Sequence, residues 1–269
     1  MIARKMTLTL KRYVFFMLLA LTNLVSCQDN KDYYADDIEI FKNTPVWELA
    51  KAIDKHDLKE EEELLKKHPD WVDYQEPKFG ITLLYWCVFN SPRKWDEYFY
   101  EEAKLLVEHG ANPYLKDQEN NFPLLKAADI HKGSKKFIEL CLASKHTIEL
   151  PDSSKRFFVN EALLEACGKL WEEVDAVKLL VDAGADINYF NADSTATPFS
   201  ESITQENMNT ARYLIIEKGA EYDVYVKRMV DRVDMSMLER LRNLDYSEEP
   251  EKQKIKEEIL AYIKEQEIK

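Results

Sequence analysis

One phrase returns three times along the chain. Residues 103–112 read Ala-Lys-Leu-Leu-Val-Glu-His-Gly-Ala-Asn, residues 176–186 read Ala-Val-Lys-Leu-Leu-Val-Asp-Ala-Gly-Ala-Asp, and residues 211–221 read Ala-Arg-Tyr-Leu-Ile-Ile-Glu-Lys-Gly-Ala-Glu. Each is the end of an amphipathic helix closed by a glycine, Gly110, Gly184 or Gly219, that can take the left-handed backbone conformation. Gly184 and Gly219 stand 35 residues apart, and Gly110 and Gly184 stand 74 apart, which is two units of 37. Periods of this size mark helical repeat proteins, whose units are too small to bury an apolar face alone and must stack on their neighbours.

The starts of the units narrow the choice. Gly80-Ile81-Thr82-Leu83-Leu84, Phe122-Pro123-Leu124-Leu125 and Thr197-Pro198-Phe199-Ser200 each open a helix after a polar turn, with proline where a first-turn N–H would have no helical partner. These starts resemble the Thr-Pro-Leu-His opening of the ankyrin repeat, most clearly over residues 79–128 and 174–224. The resemblance implies an all-α solenoid of about five degenerate helix-turn-helix repeats over residues 45–225. Departures from the family pattern are expected at several places. Pro69 stands where the first unit should have its glycine, and that unit reads as a cap. The third unit, Phe137 to His146, has no Gly-Ala, and its connection through Pro151 to Lys155 is expected to be long. The fourth opens at Asn160-Glu161-Ala162-Leu163 without Thr-Pro, and the second carries an aromatic insertion, Asn90 to Tyr100, with Trp95, Tyr98 and Phe99. Beyond residue 225 the apolar stripes Met229, Val230, Val233, Met237, Leu238, Leu241 and then Ile255, Ile259, Leu260, Ile263 predict two C-terminal capping helices over residues 226–269.

The N-terminus carries a separate message. Arg4, Lys5, Lys11 and Arg12 precede an apolar run from Val14 to Val25, shorter than the ~20 residues a membrane-spanning helix needs. This reads as an export signal over residues 1–26. Leu24-Val25-Ser26-Cys27 resembles the bacterial lipobox, which implies acylation of Cys27 as the mature N-terminus, with palmitate among the expected acyl groups. Residues 27–44 begin with the polar stretch Gln28 to Asp37 and read as a tether. The expected location is the bacterial envelope, lipid-anchored at the outer membrane, since Gln28 gives no reason for inner-membrane retention.

Charge and chemistry then bound the function. The formal net charge is -13, and removing residues 1–26 takes away four basic and no acidic side chains, leaving -17. That field argues against nucleic acid and would steer a basic protein partner toward the chain. Cys87, Cys141 and Cys167 sit in apolar helical contexts and read as buried free thiols. His56, His68, His109, His131 and His146 are scattered, with His109 and His68 read as capping helix ends. No metal-ligand spacing, nucleophile elbow or phosphate loop occurs, so no cofactor, no metal and no small-molecule substrate are expected, and the chain reads as a non-enzyme. The acidic runs Glu60-Glu61-Glu62-Glu63, Glu101-Glu102 and Glu172-Glu173 read as solubilising charge.

What remains is binding. In the family pattern the tips between units meet the partner, which implies Lys116, Asp117, Glu119 and Asn120 in one loop and Tyr189, Phe190, Asn191 and Asp193 in another as the partner-binding residues. The leading expectation is a lipid-anchored envelope protein that binds another protein through an acidic concave face, in its more specific form by neutralising a toxin as an immunity protein does. A structural scaffold or protective partner of an envelope enzyme is the alternative, and a hydrolase of envelope polymers a third.

Overall fold

Each recurring glycine ends a helix. Gly110 and Gly184 both have φ of 98°, and behind them Ala111 N and Ala185 N donate to the carbonyls of Leu106 and Leu180, five residues back. Only a residue without Cβ enters this conformation freely. At Gly184 a Cβ would meet no atom within 4 Å, so the backbone alone sets the cost of a side chain. Gly184→Ala is expected to lose about 1 kcal/mol, read from the midpoint of urea denaturation with unchanged slope.

The computed structural model describes residues 35–94, 99–130, 134–192, 195–227 and 234–268. Among these run thirteen α-helices and one two-stranded ribbon. Five helical pairs succeed one another: α1 (Trp47–Asp54) with α2 (Leu58–Lys67), α3 (Leu83–Lys94) with α4 (Tyr100–Glu108), and α5 (Pro123–Asp129) with α6 (Ser134–Leu142). A short α7 (Lys145–Glu149) follows, then α8 (Asp152–Gly168) with α9 (Val174–Asp182), and α10 (Pro198–Thr204) with α11 (Met208–Arg212), which widens into a π turn over Tyr213–Glu217. The strands β1 (Tyr225–Lys227) and β2 (Asp234–Ser236) pair antiparallel, and α12 (Met237–Asn243) and α13 (Pro250–Glu267) close the C-terminal end.

The pairs stack in two layers. Helices α3, α5, α8 and α10 pack in succession as an inner layer, and α2, α4, α6, α9 and α11 as an outer one. Apolar residues at and just after the helix starts fill the space between, among them Trp86, Phe122, Phe137 and Phe199, all essentially fully buried. Burying each contributes about 2–3 kcal/mol. The starts themselves are built as the sequence suggests: Pro123 and Pro198 occupy the first turn, and Thr197 and Ser200 form a reciprocal capping box.

Four readings need correction. Helix α8 begins at Asp152, not near Asn160, so the expected long connection from Pro151 to Lys155 is helical. Its added turns are held by Phe158, whose ring lies 4.8 Å from that of Tyr114 and 5.0 Å from that of Phe122. Helix α3 runs through Asn90 to Lys94, into the stretch read as an insertion, while Trp95 and Tyr98 lie outside the described residues. The C-terminal cap contains the ribbon as well as helices, and Met229, Val230 and Val233 lie outside the described residues. The acidic runs are not all solvated. Glu61 is 0% exposed and Glu102 nearly so, because both fall on the helix faces turned toward the interface of the first two repeats. Glu172 and Glu173 reach across repeats, accepting from Thr210 N at 2.6 Å and from Ser134 Oγ at 2.6 Å.

The cap is a packed element. Ile259 and Ile263 of α13 are buried against the last pair, and the Lys256 ammonium donates to the carbonyl of Arg242 at the end of α12. The thiols of Cys87, Cys141 and Cys167 are free and buried, and burial pushes the Cys141 thiol up to about 12.

Candidate binding surface

Between successive pairs the chain turns back in short fingers, and each finger is folded by one acid or amide side chain. In the first, Glu76 accepts from the N–H groups of Lys78 and Phe79 at 2.7 and 2.6 Å. In the second, Asp117 Oδ1 accepts from Glu119 N and Asn121 N, both at 2.8 Å, with Asn120 left-handed at φ of 68°. Between α9 and α10, Asn191 Oδ1 accepts from Thr195 N and Ala196 N, again at 2.8 Å. Acid and amide side chains do this readily because their oxygens reach backbone N–H groups two to five residues on. Neighbouring fingers are also tied: Gln118 N donates to Phe79 O, and Gln75 donates to the carbonyls of Gly80 and Lys116.

The third finger is absent. Where Gly-Ala should stand, Ser144 caps α7 and donates to Ala111 O, and the His146 ring nitrogen lies 2.9 Å from Gly110 O. Helix α7 and the first turns of α8 occupy that place. They leave Ile148 80% exposed and Phe157 41% exposed, with the Lys116 ammonium 4.7 Å from the Phe157 ring centre.

The sequence-predicted residues therefore separate into two groups. Lys116, Glu119 and Asn120 are exposed in the second finger, whereas the Asp117 carboxylate is occupied within it. In the later finger Tyr189 turns inward, donating its hydroxyl to Glu161 on α8 at 2.6 Å, and burial followed by that bond pushes its hydroxyl up to about 12. Phe190 is 40% exposed. Asn191 is spent on its own loop, Asp193 lies outside the described residues, and so does Cys27.

Two cavities open beside this later finger. One, of about 270 Å³, is lined by Ile187, Phe190 and Thr197 together with Glu221, Val224 and Tyr225. The other, of about 300 Å³, lies on the inner helices and is lined by Leu125, Glu161, Glu165 and Glu201, with Asn191 and Ala196 as its wall. Burial raises the Glu165 carboxyl above its ordinary range, Asp129 adds to this, and Lys126 opposes it; burial alone raises Glu201. Gly168 gives Glu201 room, since a Cβ there would come within 2.7 Å of its carboxylate. No sequence pattern announced these three acids, because Glu161 and Glu165 lie a turn apart on α8 while Glu201 comes from the next repeat. Among the described residues no cluster of His, Cys, Asp or Glu is arranged to hold a metal, and no helix is long and apolar enough to cross a membrane.

Stacked helical pairs with a finger between them define a repeat scaffold of the ankyrin kind, and the comparisons agree. The crystal structure of EF0377, an ankyrin repeat protein, superposes with a TM-score of 0.54 at 26% identity, over 80% of this chain and 97% of that one. The ankyrin repeat domain of Bcl-3, a member of the IκB family, gives 0.51 at 20% identity, over 66% and 74%. Ankyrin repeat protein OPG189 of variola virus is 24% identical over 185 residues, which span 68% of this chain and 30% of that relative. No protein-family profile matches the sequence. The chain has the ankyrin-repeat fold, an all-α solenoid with a capped C-terminal end.

Proposed function

We propose that the chain is a lipid-anchored ankyrin-repeat protein of the bacterial envelope that binds another protein through its inner helices and later fingers, and that it catalyses no reaction. The observation that carries the reading is the surface beside the finger limbs at residues 190–192 and 195–197, where exposed aromatic side chains adjoin three inner-helix carboxylates in a chain of net charge -13. Aromatic anchors in a concave setting are where binding energy concentrates, and negative charge speeds encounter with a basic partner. Neutralisation of a basic toxin at the membrane suits this chemistry. The N-terminal segment supports the anchor, with Cys27 as the acylated residue.

A scaffold for an envelope enzyme is the second reading. It is favoured by Leu170 and Trp171, 73% and 53% exposed in the turn between α8 and α9, at the end of the helices away from the fingers.

Affinity capture from the native envelope tests the first reading. The chain is expected to retain a protein that the double variant Glu165→Gln/Glu201→Gln releases, with binding reduced at least tenfold. Cys27→Ser is expected to move the chain from the membrane to the soluble fraction. Capture that is insensitive to the glutamates but lost on Trp171→Ser would transfer the reading to the scaffold surface.

A further inference from the structure

The two limbs of the later finger, residues 190–192 and 195–197, are a partition between two chemically different spaces. Asn191 N donates to Ala196 O at 3.1 Å, so the two limbs of the finger meet there, with Phe190 and Thr197 next along each limb. Successive residues of an extended limb face opposite sides. Phe190 and Thr197 line the apolar cavity, whereas Asn191 and Ala196 line the acidic one. The apolar space has Ile187 and Val224 as walls, with Phe190 and Tyr225 exposed at 40% and 57%, and carries Glu221 on its border. The acidic space holds Glu161, Glu165 and Glu201. Its internal compensation is partial. Tyr189 donates to Glu161, and Lys126, which opposes the raised Glu165, is already bonded to Asp129 at 2.5 Å.

We infer that this finger reads a bipartite segment of the partner: an extended stretch that places one large apolar side chain between Phe190 and Tyr225 and one arginine or lysine among Glu161, Glu165 and Glu201. The inference rests on the protein-binding reading above and adds the chemistry of the partner. Charge complementarity selects the occupant. A carboxylate trio that is partly desolvated gains from a cation that brings its own hydrogen-bond donors, and a planar guanidinium can address two carboxylates at once. An acidic or purely apolar segment would leave the trio uncompensated. The spacing follows from the partition. A pair of extended limbs is about 5 Å across and its side chains add as much again, so about 10 Å, or roughly three residues of extended chain, separates the two anchors.

The test uses the full-length chain in detergent micelles and synthetic peptides of alternating Gly and Ser that carry one Phe and one Arg separated by one to five residues. Controls replace either anchor by Ser. Binding is followed by calorimetric titration and by amide shifts at residues 187–197. Peptides with both anchors two to four residues apart are expected to bind at least tenfold more tightly than either control. Phe190→Ser/Tyr225→Ser is expected to erase the advantage conferred by Phe alone, Glu165→Gln/Glu201→Gln that conferred by Arg alone, and only the latter advantage should shrink with salt. Circular dichroism checks that both variants are folded. The inference is overturned if two-anchor peptides bind no better than the controls, if both variants weaken all peptides equally, or if the shifts fall elsewhere. Should the peptides fail while envelope capture still depends on Glu165 and Glu201, the protein-binding reading survives without the bipartite one; capture independent of these residues removes both.

Discussion

Replacing Glu61 by glutamine is expected to stabilise the chain by about 2 kcal/mol at pH 7 and to flatten its stability between pH 5 and 9. The residue occupies a core position of α2, one turn before the fully buried Leu65, and neither carboxyl oxygen has a hydrogen-bond partner. Burial, and then the nearby Glu102, push its pKa from 4.5 up to about 9. Glu102, whose Oε1 lies 2.7 Å from His56 Nδ1, adds negative charge beside Glu61, and neither Glu61 oxygen has a donor of its own. A carboxyl that holds its proton in the folded state and loses it in the unfolded state stabilises the fold fully below the unfolded pKa. That contribution is lost as pH rises from about 4.5 through about 9, at about 1.4 kcal/mol per pH unit. At pH 7 the loss has reached about 3 kcal/mol, part of which an amide returns because it does not ionise. Its own unpaired N–H groups take some of that gain away. Glu61→Met, which buries no polar atom, should equal or exceed glutamine. For a chain of this length the gain corresponds to a rise in Tm of roughly 4–8 °C. Denaturant titrations at pH 5, 7 and 9 decide the matter: a variant whose stability falls with pH as steeply as the wild type places the pH dependence elsewhere.

The same residue marks the boundary of what the amino-acid order reveals. Helix ends were legible because they depend on local chemistry. Gly110, Gly184 and Gly219 do have positive φ, and the Thr197-Pro198 start does form its capping box. Local chemistry also misled where a tertiary contact outweighed it. Asp152-Ser153-Ser154 resembles a polar turn, yet it begins a helix whose Phe158 finds aromatic neighbours, Tyr114 and Phe122, at the finger that opens the preceding repeat. In the run Glu60 to Glu63 all four residues look alike, but α2 turns only Glu61 inward, toward the side that carries Leu65. The binding face was legible as loops and illegible as chemistry. Phe190 was identifiable as an exposed aromatic in a loop, whereas the acidic cavity exists only after two repeats stack. Asp117 and Asn191 show the converse: polar residues in a loop look available, but the loop itself consumes their oxygens.

Asn207→Ala is expected to cost about 3 kcal/mol and to loosen the last repeat first. The residue follows Glu206, which is left-handed at φ of 59°, and its own N–H closes the end of α10 on Ser202 O at 2.8 Å. Its buried side chain then reaches into the preceding repeat, where Nδ2 donates to the carbonyls of both Cys167 and Lys169 at 2.9 Å. These carbonyls belong to the C-terminal end of α8 and have no helical N–H to accept from. Removing the amide leaves two buried acceptors unsatisfied, at about 1–3 kcal/mol each. Lys169 does similar work one repeat earlier, donating to the carbonyl of Ile130 at 3.4 Å and to Ser134 Oγ at 3.0 Å, so each of these turns is bolted to the unit before it. In a stack held by nearest-neighbour contacts, a weakened interface lets everything beyond it open separately. Hydrogen exchange should therefore rise in α10, α11 and α13 while α3 and α5 keep their protection. Asn207→Asp separates the two possible causes, because a carboxylate keeps the shape and cannot donate. If the aspartate variant is as stable as the wild type, packing and not the paired carbonyl contacts holds the last repeat in place; a loss as large as that of alanine assigns the junction to those two hydrogen bonds.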